Sequence, residues 1–276
     1  MTALLALASA LLVGGADYLG GVTSRRAPAV RVAALAQAVG LLIAVPAALL
    51  VPWEDVRPAD AAWAAASGVA VGTGLAVFYT AMARGLISVV APVTAVTGAL
   101  VPVAYALGRG ERPGAVALAG IALAVLAIAL VSVTPGATRD ASRGLGLSIG
   151  AGLLFGLFYV FLSLPDEDAG LWPVPVSRTA SALALIGLAL ATSGGISLPR
   201  SVRPTIVAIG ALEVVAAVTL LLALQRGPVS VASVLASLYP VTTTFLAAVA
   251  LRERLDRWQR AGVALALVAV VLVSAG

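Results

Sequence analysis

The 276-residue sequence has no cysteine and no histidine, its 17 basic residues are all arginine, and only 11% of the chain is charged. Without thiols or imidazoles there is no disulfide, no thiolate nucleophile, no histidine base and little chance of a transition-metal site. Without lysine a G-x-x-x-x-G-K-[ST] phosphate loop cannot form, which removes that route to ATP hydrolysis. No cofactor is expected, and catalysis would be left to carboxylates and hydroxyls. The shortage of charge is matched by an excess of apolar residues, 61% of the chain with a mean hydropathy of +1.10. Soluble domains run nearer about 45–50% apolar and about 25% charged. The net charge of +5 comes from arginines scattered through loops, not from a basic patch, so no nucleic-acid partner is expected. The composition is that of an all-α integral membrane protein.

A bilayer core of about 30 Å needs about 20 apolar residues per helix, and at that length ten apolar blocks can be drawn. They run approximately 2–22, 30–52, 61–83, 88–108, 114–134, 144–164, 172–193, 204–225, 229–250 and 258–275. The first block lacks a basic leader and is read as a mature helix. Comparing the chain with itself at an offset of 142 aligns Ala81, Arg84, Gly85, Ser88 and Val89 with Ala223, Arg226, Gly227, Ser230 and Val231. The register continues through Glu111-Arg112 on Glu253-Arg254 to Val131-Ser132 on Val273-Ser274. At an offset of 141, Gly15 and Tyr18 meet Gly156 and Tyr159. The expected organisation is therefore two five-helix units, residues 1–135 and 144–276. An odd number of spans per unit makes the second unit enter the membrane from the opposite side, which is an inverted repeat.

The stretch Leu224-Gln225-Arg226-Gly227-Pro228-Val229-Ser230-Val231, with Ser237-Leu238-Tyr239-Pro240 and Glu253-Arg254 after it, resembles the EamA family of the drug/metabolite transporter superfamily. Gly15 to Gly21, Arg84-Gly85 and Glu111-Arg112 fit the first repeat of that family, although Gly98 stands where the second half has proline. The resemblance implies a ten-helix inner-membrane carrier of small metabolites working by alternating access, with cytoplasmic termini. The arginines, concentrated in the odd-numbered loops, point to the opposite orientation by the positive-inside rule.

Only two acids lie well inside apolar blocks, Asp17 and Glu213. A charge at the bilayer centre costs at least about 2.5 kcal/mol on insertion scales, so such residues face a bundle interior or a watery cavity. Their repeat counterparts are Phe158 and Val71, so the shared scaffold does not demand either charge. Both are expected near mid-depth, holding a coupling proton or the charge of a substrate, against the alternative of a hydrogen bond to a neighbouring helix. Tyr18 and Tyr159 occupy matching repeat positions and are candidates for the pathway wall. Pro240 after Tyr239 removes a helical bond and frees the carbonyl of Ala236. Ser237, Tyr239, Pro240 and Thr243, with Thr94 and Thr97 beside Pro92, are expected to form hinges and polar lining. Gly68-x-x-x-Gly72 reads as close helix packing. Arg31 and Arg178, near the starts of the second and seventh blocks, read as headgroup anchors, with an anion contact as the alternative.

The expected function is a multi-pass carrier of the plasma membrane, not an enzyme, in contact with membrane lipid and a small-molecule substrate, as a monomer or homodimer. It would export amino acids, related metabolites or drugs with proton coupling. A lipid flippase or an uptake carrier is the alternative. An intramembrane enzyme would need clustered acids with a metal, and the only acidic cluster, Asp166-Glu167-Asp168, reads as a solvated turn.

Overall fold

A computed structural model describes residues 1–50, 55–84, 87–112, 114–132, 139–193, 195–250 and 257–275. Gly85, Pro113 and Glu253-Arg254, which belong to the repeat and family motifs, lie outside them, as do the side chains of Arg84, Ser88 and Pro92. Among the described residues there are eleven α-helices and no strand. In chain order they are α1 (Thr2–Ser24), α2 (Ala29–Leu49), α3 (Pro58–Arg84), α4 (Ile87–Gly108), α5 (Ala115–Ser132), α6 (Arg139–Leu162), α7 (Pro173–Ser193), α8 (Arg203–Gln225), α9 (Val229–Ala236), α10 (Tyr239–Ala250) and α11 (Arg257–Ala275). Helices are what an apolar chain must form where no water can satisfy its backbone, since each closes its hydrogen bonds within itself. Prolines mark the entries: Pro28 and Pro228 precede α2 and α9, Pro58 and Pro173 open α3 and α7, and Pro204 lies in the first turn of α8. In these positions the missing N–H costs no helical bond.

Among the described residues six stretches are long and apolar enough to cross a membrane: Thr2–Ser24, Ala29–Leu49, Pro58–Ala83, Pro173–Thr192, Arg200–Gln225 and Val229–Ala250. Shorter apolar helices cover Val93–Gly108, Leu118–Ala127 and Gly146–Leu162. The ninth expected block, 229–250, is two helices rather than one. α9 stops at Ala236, the chain turns through Ser237 and Leu238, and α10 starts at Tyr239. Pro240 thus occupies the second position of a new helix instead of interrupting an old one, and the break falls before the proline because that is where its ring fits.

The helices pack as α1 on α8, α3 on α6, α2 on α7, α4 on α6, α1 on α9 and α10, and α5 on α11. Backbones come close where side chains vanish. A Cβ on Gly210 would lie 2.7 Å from the Ala36 carbonyl oxygen, and one on Gly68 would collide with the Ser177 carbonyl. Gly68 and Gly210 lie 142 residues apart and Ala36 and Ser177 lie 141 apart, and each of these close approaches joins a helix of one half of the sequence to a helix of the other. Gly72 likewise faces Ser181 of α7, as the small-residue reading of Gly68-x-x-x-Gly72 expects.

Loops are tied at one end of α3. The Asp60 carboxylate accepts from the backbone N–H of Arg57 (3.1 Å) and of Asp166 (3.0 Å), and Arg57 pairs with Asp166 at 3.2 Å. The acidic cluster Asp166-Glu167-Asp168 is therefore a 3₁₀ turn paired with an arginine. Among the described residues no group of acids could hold a metal ion.

Candidate functional site

Glu213 sits ten residues into α8, about 15 Å from its start at 1.5 Å per residue. Its side chain is 8% exposed and forms an ion pair with Arg178 of α7, whose Nη1 donates to Glu213 Oε2 at 2.6 Å. The Arg178 Nη2 donates to the Glu213 backbone carbonyl at 2.7 Å, and its Nη1 also donates to Gln37 Oε1 at 2.6 Å. Gln37 of α2 completes the triangle by donating from Nε2 to Glu213 Oε2 at 2.9 Å. Tyr79 of α3, fully buried, donates to the other carboxylate oxygen at 3.3 Å. Helices α2, α3 and α7 thus converge on one carboxylate of α8, and the buried arginine and glutamate pair with each other.

Arg178 was expected at a headgroup, and the structure corrects that. It lies five residues beyond the first residue of α7, so its chain begins about 7.5 Å inside the helix, and the guanidinium turns inward to Glu213. A buried arginine without a partner would be very costly, and Glu213 supplies that partner. Arg31, its companion in the same reading, does reach a loop, donating to the Ser197 carbonyl at 3.1 Å.

Asp17 of α1 is in the opposite condition. It is 3% exposed, and its Oδ2 has no hydrogen-bond partner among the described residues. The hydroxyl of Tyr239, 2% exposed at the start of α10, has none either. Both residues line one cavity together with Gln37, Arg178, Glu213, Tyr159, Phe155 and Phe158. Measured as room for the centre of a water molecule the cavity is about 70 Å³. One water needs about 10–15 Å³ on that measure, so there is space for several waters or one small solute.

The structure therefore brings together Asp17, Glu213, Tyr159 and Tyr239 of the residues singled out from the sequence. It keeps Tyr18, Thr94, Thr97, Ser237, Pro240 and Thr243 out of this lining. Thr97 donates to the Val93 carbonyl at 2.9 Å, Thr94 to that of Ser148 at 3.1 Å, and Thr243 to those of Gly14 and Tyr239, both at 3.1 Å. The Thr94 and Thr243 hydroxyls thereby tie α4 to α6 and α10 to α1, while that of Thr97 bonds within its own helix. Tyr18 packs half-buried against the apolar core around Phe78 and Met82. Sequence reasoning did not foresee Gln37 and Tyr79. For Gln37 a signal existed, because the offset of 141 that pairs Tyr18 with Tyr159 also places Gln37 on Arg178, and the two touch.

A helical, polytopic membrane protein with a small, mainly apolar cavity holding a few buried polar groups where its helices converge is the class that fold and site define. Residues 142–275 match the model of the EamA-like transporter family, so the second half of the chain is an EamA-like unit and the resemblance drawn from its Gln225 to Pro240 stretch holds. That family consists of membrane transporters of the drug/metabolite type, not enzymes. A crystal structure of another protein superposes with a TM-score of 0.70 over 97% of this chain and 96% of its own, at 19% identity, a likeness that carries the fold. No curated protein matches the chain.

Proposed function

We propose that the chain is a ten-span secondary carrier of the plasma membrane, built as two inverted five-helix units, 1–135 and 144–276, that exports small metabolites by alternating access. Amino acids, related metabolites or small drugs are the candidate classes of solute, and a proton gradient is the energy source. The observation that carries this reading is the cavity: α1, α2, α3, α6, α7, α8 and α10 all contribute to it, and an unpartnered carboxylate oxygen belongs to one of its walls. The matched crossings at Gly68 and Gly210 support the repeat. In an inverted repeat a site near mid-depth between the two units is where a solute can be reached from either face in turn. Asp17 is the group that meets the solute or the coupling proton, and the Arg178–Glu213 pair holds α7 to α8 beside it.

Metabolite profiling of medium and cytosol tests this in cells producing the wild type, Asp17→Asn or no carrier. A compound enriched outside only with the wild type is expected. Identical profiles in all three would overturn export and leave uptake or movement of amphiphiles.

A further inference from the structure

Charge bookkeeping within the cavity narrows the solute. Its ionisable lining residues are Asp17, Tyr159, Arg178, Glu213 and Tyr239. Arg178 is the only cation among them, and three of its hydrogen bonds already go to Glu213 and Gln37. A carboxylate or phosphate entering the cavity would have to share that one guanidinium with Glu213 and would add a third buried acid beside Glu213 and Asp17, which is strongly unfavourable. What is unpaired is Asp17, at 3% exposure, with an orphan oxygen. A buried polar atom without a partner calls for an explanation, and a missing ligand is one. The rings of Phe155, Phe158, Tyr159 and Tyr239 line the same space, and aromatic faces attract cations. Tyr239 adds a hydroxyl with no partner of its own.

We propose that this cavity selects small organic monocations, primary amines with a short apolar body, with the ammonium on Asp17 and the body against the aromatic side chains. Zwitterions, free amino acids among them, and anions are excluded because the one cation available to them is committed to Glu213, which narrows the carrier's solutes to amine metabolites and drugs. The ammonium donates to Asp17 Oδ2, and the Tyr239 hydroxyl accepts from a second N–H. The inference rests on the carrier reading, since that reading puts the solute in this cavity.

The test is calorimetric binding to the purified full chain in lipid nanodiscs. The probes are butylammonium against 1-butanol, and alaninamide against alanine, each pair matched in size and differing in charge. The expected result is at least about tenfold tighter binding of each monocation than of its partner, a difference of about 1.4 kcal/mol. Asp17→Asn, checked for an unchanged thermal transition, should abolish both preferences. Should that variant not fold, the wild-type panel alone decides. Alanine binding as tightly as alaninamide, or no binding of any probe, overturns the proposal. Flux in proteoliposomes separates the two readings. Monocations that bind with the expected preference but never cross would sink the carrier and leave the site standing, whereas flux of alanine at the rate of alaninamide would sink the cation site and leave the carrier.

Discussion

Glu213 and Asp17 enter the same cavity from two helices packed on each other, yet their surroundings are opposite. Glu213 is met by an arginine, a glutamine and a tyrosine, all within 3.3 Å. Asp17 keeps an oxygen with no partner at nearly the same burial. Two acids that look alike in an apolar sequence therefore stand in different surroundings. A fully satisfied buried ion contributes to which helices meet, and removing its partner is what hurts. An unsatisfied one weakens the fold and is retained where something else binds it.

Stability and transport should separate along this line. The largest effect is expected for Arg178→Gln, which leaves Glu213 buried without its counter-ion. Thermal or denaturant unfolding in detergent should show a loss of about 3–5 kcal/mol, largely restored by adding Glu213→Gln. A single variant as stable as the wild type would show that the pair does not bind α7 to α8. Gln37→Leu removes one bond to each member of the pair and should cost about 1–3 kcal/mol in the same assay. Tyr79→Phe removes only the 3.3 Å bond to Glu213. A loss of about 0.5–1.5 kcal/mol is expected there. Smallest is Asp17→Asn, which exchanges an unpartnered acid for a neutral amide of the same shape and should leave the unfolding transition within about 0.5 kcal/mol of wild type or slightly above it. A large loss at Asp17 would mean that it has a structural partner.

How much of this the sequence carries depends on how loudly each residue speaks. Acids inside apolar runs are conspicuous, so Asp17 and Glu213 could be picked out and placed at similar depth, and the cavity joins them. Arg178 is equally polar but sits near a helix start, where arginines usually reach for headgroups, so its inward turn is invisible until α8 is packed beside it. Gln37 and Tyr79 carry no charge and do not stand out in an apolar run, and only the offset that sets Gln37 on Arg178 hints at one of them. The threonines lie outside this cavity's lining for a related reason. In an apolar helix the nearest acceptor for a hydroxyl is a backbone carbonyl, and Thr94, Thr97 and Thr243 all take one. Pro240 announced a break correctly, but the turn itself, at Ser237 and Leu238, depends on where a new helix can place the ring.

The division between the two acids is tested most directly by flux through proteoliposomes holding Asp17→Asn, the double variant Arg178→Gln with Glu213→Gln, or the wild type, with alaninamide as solute. If Asp17 is the working carboxyl, its single variant loses at least about tenfold in rate, a barrier difference of about 1.4 kcal/mol, while the double variant stays close to wild type. If the double variant is inactive while Asp17→Asn transports normally, the roles are reversed and Glu213 is the group that meets the solute.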